Sequence, residues 1–100
     1  MIASLLKWLI CRYNLTVGFE NHSHTYKRTK LIRGGKEDAS GTLYIGDGGW
    51  GVKPDKPGDY WYLANAVGTR NFVHVTVGKT NITLRAVNDK GEVFDSVTVV

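Results

Sequence analysis

The spacing of apolar positions changes character along the 100-residue chain. Near the amino terminus, apolar side chains recur with helical spacing, at Leu5, Leu6, Leu9, Ile10 and Tyr13. This spacing places them on one face of an amphipathic helix, which we predict from about Ser4 to Arg12 with Ser4 as its N-cap. The apolar, β-favouring run from Leu15 to Phe19 follows at once and predicts a buried strand.

The last third of the chain alternates between apolar and polar residues, as the strands of an antiparallel sheet do. We predict strands over residues 71–77, 82–86 and 92–99, joined by turns at 78–81 and 88–91. Together with the amino-terminal helix, this pattern predicts the α+β class. The expected architecture is one short helix plus a largely antiparallel sheet in a single domain.

The middle of the chain combines one short strand with long irregular connections. A strand is predicted from Thr42 to Ile45, after a loop that contains Gly34 and Gly35. The residues from 46 to 60 are rich in glycine and contain two prolines, which is typical of a functional or disordered connection. Polar residues also begin at Glu20, where the first predicted strand ends, and ligands often bind outside the carboxyl ends of strands.

Composition and charge narrow the class of protein. With 42% hydrophobic and 22% charged residues, most of the chain is expected to be folded. The net charge of +4 is uneven, because residues 1–36 carry seven basic side chains against Glu20 alone. The stretch from Lys27 to Lys36 is either a solvated loop or a positive field for an anionic substrate. The sequence has no groove-reading motif, so we expect no nucleic-acid partner.

The single cysteine and the amino-terminal residues exclude an internal cysteine-based cross-link or zinc site and a membrane span in that region. Cys11 is the only cysteine, so the chain can form no internal disulfide and no cysteine-based zinc site. The apolar run from Met1 to Cys11 is too short to cross a bilayer and is interrupted by Lys7. We therefore expect no membrane partner, and the sequence does not determine the compartment.

The most informative feature is a pair of histidines separated by one residue, in Asn21-His22-Ser23-His24. On extended backbone such a pair points to one side, and in a tighter turn the two rings can serve two neighbouring metals. Neutral imidazole is a common ligand of zinc, iron and manganese. Taken alone, the pair is equally compatible with two exposed loop histidines that bind nothing.

Residues 21–28, Asn-His-Ser-His-Thr-Tyr-Lys-Arg, resemble the Gly-His-x-His-x-Tyr-x-Arg motif of purple acid phosphatases, which belong to the calcineurin-like metallophosphoesterases. Residues 42–49 resemble the strand and the Gly-Asp-Gly-Gly turn of that family, in the same order. Residues 72–99 are similar to its closing β segment. Asn21 stands where the family motif has glycine, and Lys27 where it has glutamate.

The resemblance implies a role for each matched residue. His22 would bind the divalent metal (zinc, manganese or iron) and His24 the other metal, usually iron. Tyr26 and Arg28 would support the loop that carries the two ligands. The implied substrate is a phosphate ester, and the implied fold is the carboxyl-terminal part of a metallophosphoesterase αββα sandwich. The family is often secreted.

The family's earlier metal-binding segments have no counterpart in the sequence. A two-metal site needs more ligands than two histidines, so we assign no catalytic residue and expect the chain alone to be a poor phosphatase. Residues 1–100 would then be the carboxyl-terminal portion of a phosphoesterase domain whose first two-thirds are absent. One alternative is a non-catalytic binding or interaction domain that uses the aromatic segment from Trp50 to Tyr62. Another is an unstable fragment with an exposed sheet edge.

Overall fold

The computed structural model describes residues 15–100, and about half of these residues lie in β-strands. None of the described residues lies in a helix, so the described part of the chain belongs to the all-β class and the predicted α+β class is wrong. The helix predicted from Ser4 to Arg12 lies outside the described residues. Within residues 15–100 there is accordingly no helix that could cross a bilayer.

Nine strands follow one another along the described residues. They are β1 Val17–Glu20, β2 Tyr26–Thr29, β3 Ile32–Arg33, β4 Lys36–Glu37, β5 Leu43–Asp47, β6 Leu63–Val67, β7 Asn71–Val77, β8 Ile82–Asn88 and β9 Val93–Val99. They form a four-stranded sheet, a two-stranded hairpin and a three-stranded sheet.

The four-stranded sheet has the strand order β1-β5-β2-β6. Strand β1 runs parallel to β5, whereas β2 runs antiparallel to both of its neighbours, β5 and β6. The prediction of a buried strand from Leu15 to Phe19 is wrong in its burial, because β1 is the edge strand. Phe19 is 56% exposed and Leu15 is 42% exposed.

The hairpin of β3 and β4 was not predicted. Ile32 pairs with Glu37 and Arg33 with Lys36, so the connection consists of two residues, Gly34 and Gly35. Both glycines have positive φ angles, 62° and 78°. Two consecutive residues in this conformation match the twist of the flanking strands, which is why a Gly-Gly pair closes a tight hairpin.

The three-stranded sheet, β7-β8-β9, is antiparallel and confirms the strands expected in the last third of the chain. Both predicted turns are present. The Gly78 amide donates to the Asn81 carbonyl at 2.8 Å, and the Gly91 amide donates to the Asn88 carbonyl at 3.1 Å. Gly91 has a φ of 80°, a conformation that a residue with a side chain rarely adopts.

The four-stranded and three-stranded sheets share one core. Its buried apolar residues are Tyr26, Leu43 and Ile45 from the first sheet and Leu84 and Ala86 from the second. Seven partly buried residues pack around them: Val17, Leu31, Val73, Ile82, Phe94, Val97 and Val99. Because each sheet buries its apolar face only against the other, neither is expected to be stable alone.

Candidate functional site

The two histidines lie in one loop, residues 21–25, which connects β1 to β2 and is called here the histidine loop. Strand β5 lies between β1 and β2 in the sheet, so this loop must pass over the end of β5. The register places Glu20 beside Gly46 and Tyr26 beside Asp47. The histidine loop and the turn that follows β5 therefore meet at the same edge of the sheet.

Gly48 makes the close approach of these two segments possible. A Cβ atom added to Gly48 would overlap the carbonyl oxygens of Ser23 and Asn21, which belong to the histidine loop. Only a residue without a side chain can pass at this distance. Two of the segments that carry the resemblance, residues 21–28 and 42–49, are thus in direct backbone contact.

The opposite side of the histidine loop is held by the long connection between β5 and β6 and by the end of β6. The backbone amide of Asp55 donates to the carbonyl of His24 at 2.6 Å. The hydroxyl of Thr25 donates to the carbonyl of Val67 at 3.1 Å. These bonds hold the loop at the His24 carbonyl and at Thr25, the residue that follows it.

Glu20 holds the start of the histidine loop. One carboxylate oxygen accepts the backbone N–H of His22 at 3.0 Å, and the other lies 2.5 Å from the Lys27 ammonium. Burial alone would raise the pKa of Glu20, but the bond to Lys27 and the bonds from the amides of His22 and Ser23 lower it below its ordinary value. The carboxylate is therefore ionised near neutral pH and keeps both bonds.

Asn21 and Asp47 link the loop to the end of β5. In the orientation that its surroundings require, the Asn21 amide nitrogen donates to Asp47 Oδ1 at 2.6 Å and to the Glu20 carbonyl at 2.9 Å. The residue that replaces the motif's glycine thus makes a specific contact with the Gly-Asp-Gly-Gly turn.

The side chains of His22 and His24 are both exposed, while the loop backbone beneath them is fixed. Among residues 15–100, no group of three or more His, Cys, Asp or Glu side chains has an arrangement that could hold a metal ion. The two imidazoles fit the donor chemistry of the implied metals, but they supply only part of a ligand set. Their role as metal ligands stays a prediction.

Tyr26 and Arg28 point from β2 toward the three-stranded sheet, where both contact Asp95 on β9. The Tyr26 hydroxyl donates to Asp95 Oδ2 at 2.6 Å. The Arg28 guanidinium donates through Nε to Oδ2 at 2.7 Å and through Nη2 to Oδ1 at 3.1 Å. This bidentate pair has the geometry of a strong charge-assisted interaction. The Tyr26 ring also packs edge-on against Phe94 at 5.1 Å. The expected support of the loop by Tyr26 and Arg28 stays a prediction.

The pKa shifts of Asp95, Tyr26 and Arg28 are consistent with one another. Burial alone would raise the pKa of Asp95, but hydrogen bonds from Arg28, Tyr26 and Asn65 lower it below its ordinary value. Burial and the bond to Asp95 raise the pKa of Tyr26, so the phenol stays protonated and donates. The bond to Asp95 raises the pKa of Arg28 despite its burial. The group therefore consists of a carboxylate, a neutral phenol and a guanidinium.

Asp95 is the polar residue of this region that sequence reasoning missed. Its side chain is only 9% exposed. The available signal was the alternation at the end of β9, where Asp95 shares a face with Val97 and Val99. A carboxylate in such a series is costly to bury without partners, so its position indicates a buried cationic or hydrogen-bonding neighbour.

The aromatic residues from Trp50 to Tyr62 contact one another and Phe72 through their rings. Tyr60 and Tyr62 are stacked with centroids 5.3 Å apart, and Trp61 meets Tyr62 edge-on at 5.8 Å. Trp50 meets Phe72 edge-on at 5.4 Å. Trp50, Tyr60 and Trp61 are each more than half exposed.

Comparison with known proteins identifies a structural relative. The chain is similar to a purple acid phosphatase isolated from yellow lupin (Lupinus luteus) seeds, with a TM-score of 0.83 and 23% sequence identity. The match covers 93% of this chain and 19% of the lupin chain. No protein-family profile and no curated protein sequence matches the chain. At this identity the likeness shows the fold alone: the chain folds like a part of that phosphatase.

Proposed function

We propose that the chain is the carboxyl-terminal part of a dinuclear-metal phosphoesterase, and that His22 and His24 are its metal ligands. The observation that carries this proposal is the contact between the histidine loop and the Gly-Asp-Gly-Gly turn through Gly48. The sequences of both segments resemble purple acid phosphatases, and the overall fold resembles part of such an enzyme.

The arrangement of the histidine loop suits metal binding. Its backbone is held by Glu20 and Asp55 and its Asn21 side chain by Asp47, while both imidazoles remain accessible to an ion. A ligand loop of this kind is fixed before the ion arrives, so less conformational entropy is lost on binding. Metal ions held there would supply the chemistry that polarises a phosphoryl oxygen and activates a water molecule as the nucleophile.

The chain supplies two ligands and spans about a fifth of the lupin enzyme, so phosphate ester hydrolysis belongs to the proposed whole protein. The remaining ligands, including the carboxylates that retain two ions, would come from the rest of that protein. The isolated 100-residue chain is therefore expected to bind a divalent ion weakly and to hydrolyse an aryl phosphate barely above background.

A Zn²⁺ titration of the 100-residue chain tests the ligand assignment. Substitution of His22 or His24 by Ala should weaken Zn²⁺ binding by about tenfold or more, in line with the loss of a ligand. The matched control is His74→Ala, because His74 is an exposed histidine on β7 that lies outside the histidine loop. Equal Zn²⁺ affinity in all three variants would refute the assignment.

An assay with an aryl phosphate tests the expected incompleteness of the site. Metal-dependent turnover well above background that disappears in His22→Ala would show that the chain contains a complete site. Such a result would place a further ligand among Asp47, Asp55 and Asp59.

A second candidate function is a non-catalytic binding domain, and the exposed aromatic segment favours it. Tyr60 and Trp61, which both contact the Tyr62 ring, are more than half exposed and present large aromatic rings to solvent, as binding surfaces often do. If the Zn²⁺ titration showed no dependence on His22 or His24, this candidate would become the better supported one.

A further inference from the structure

Asp95 connects the three-stranded sheet to the strand that leaves the histidine loop. It lies on β9, yet the hydrogen-bonding partners of its carboxylate include Tyr26 and Arg28, both on β2. Tyr26 is the first residue of β2 and follows His24 by two positions. The contact therefore fixes the chain immediately after the second histidine.

The geometry points to Asp95 as a positioning residue for His24, an inference that rests on the proposed metal-binding function. Asp95 reaches the histidine loop through Tyr26. The Tyr26 side chain is buried and its hydroxyl is held by the carboxylate, so β2 cannot rotate or slide without breaking that bond.

Two further hydrogen bonds show how this constraint reaches the His24 imidazole. Thr25, between His24 and Tyr26, is buried and bonded to Val67, and the His24 carbonyl accepts the Asp55 amide. The backbone from His24 to Tyr26 is thus held at each residue. Loss of the Asp95 contact would make the carboxyl end of this segment more mobile. The His24 ring would then adopt a wider range of orientations.

The ion pair between Arg28 and Asp95 fixes the register of β2 against β9 and also stabilises it. Arg28 binds both carboxylate oxygens, so the pair fixes the orientation of the carboxylate as well as its distance. The hydroxyl of Tyr26 and Nε of Arg28 share Oδ2, which sets the two side chains of β2 in one register against β9. An apolar contact of similar area would permit sliding.

The test compares Asp95→Asn and Tyr26→Phe with Val97→Ala in the 100-residue chain. Val97 lies two residues after Asp95 on the same strand and packs against the shared core, but its aliphatic side chain can form no hydrogen bond or ion pair with β2. Each variant is titrated with Zn²⁺ at neutral pH and at a temperature where circular dichroism shows it fully folded. The ring signals of His22 and His24 are recorded by NMR without metal.

We expect Asp95→Asn to weaken Zn²⁺ binding by about tenfold, as substitutions of groups behind metal ligands do, and Tyr26→Phe to weaken it less. The His24 ring signals should shift in both variants, and those of His22 should shift less. Val97→Ala should lower the unfolding midpoint while it leaves the Zn²⁺ affinity and the ring signals unchanged.

The outcomes separate this inference from the proposed function. If His22→Ala abolishes Zn²⁺ binding while Asp95→Asn and Tyr26→Phe bind as tightly as the wild type, Asp95 is purely structural and the inference is wrong. If His22→Ala and His24→Ala leave Zn²⁺ binding unchanged, the proposed metal-binding function is wrong, and the inference about Asp95 is wrong with it. If Asp95→Asn does not fold, Tyr26→Phe decides, because it keeps the buried ring and removes only the hydroxyl.

Discussion

The four-stranded sheet and the three-stranded sheet are built on different principles. The three-stranded sheet consists of consecutive seven-residue strands joined by short turns. The four-stranded sheet combines strands of four and five residues that are separated by long connections, with β5 inserted between β1 and β2. The regular sheet provides Leu84 and Ala86 of the core as well as Asp95, whereas the irregular sheet carries the histidine loop.

The difference suggests a division of roles within one cooperative unit. Local alternation and tight turns form a sheet that needs few long-range contacts to define its register. The insertion of β5, in contrast, brings a glycine turn beneath a loop that is distant in sequence. The candidate ligands therefore lie in a loop that the four-stranded sheet positions, and such loops are a usual location for binding sites.

The largest effect should follow from a change in the core that the two sheets share. Leu84 on β8 is 1% exposed, and Leu84→Ala should lower the free energy of unfolding by about 3–4 kcal/mol. Denaturation followed by circular dichroism and by tryptophan fluorescence should show one shared transition at lower denaturant. The control is Val77→Ala, because Val77 is 73% exposed and should change stability by about 0.5 kcal/mol or less. Two separate transitions would contradict the single core.

A smaller effect should follow from a Cβ atom beneath the histidine loop. Gly48→Ala should cost about 2–3 kcal/mol, because the methyl group would overlap backbone oxygens that cannot move without the loop. Gly51→Ala is the control, since an added Cβ there meets no atom within 4 Å. Amide NMR signals should change in the histidine loop and remain unchanged in β7 to β9. Unchanged loop signals would refute the described contact.

The link between the two sheets should make stability depend on pH. Because the folded-state pKa of Asp95 is lowered, its carboxylate stabilises the fold above its ordinary pKa of about 3.9, and this contribution is lost as the pH falls through the lowered value. Asp95→Asn should cost about 2 kcal/mol at neutral pH, from weaker bonds to a charged group. Its stability should also fall less steeply in acid than that of the wild type. If the free energy of unfolding fell equally steeply with acid in the variant and the wild type, the bonds to Tyr26 and Arg28 would not be what stabilises the Asp95 carboxylate.

The smallest effect is expected for the ion pair at the start of the loop. Lys27→Ala removes the contact with Glu20, and because both side chains are partly exposed the loss should be about 0.5 kcal/mol. Added salt should reduce the difference between variant and wild type. Lys79→Ala, in the exposed turn between β7 and β8, is the control and should behave as the wild type. A loss of about 2 kcal/mol would indicate a tighter pair than the exposure suggests.

Sequence reasoning succeeded and failed for physical reasons that differ between the two regions. The strands of the last third were predictable because alternation with period two and glycine-containing turns are local signals. Strands β2 and β6 were missed, since each is short and stabilised by pairing with partners far along the chain. The burial of β1 was overestimated, because an apolar run does not reveal whether a strand lies at the edge of a sheet.

By itself, the sequence determined the pair of histidines, the aromatic segment and the antiparallel carboxyl-terminal strands, because these depend on neighbouring residues. Only the tertiary structure decided that β5 lies between β1 and β2, which places Gly48 under the histidine loop. It also decided that Asp95 bonds Tyr26 and Arg28, across 69 and 67 positions of sequence. Such pairings depend on how two sheets pack over a common core, which no local pattern of residues specifies.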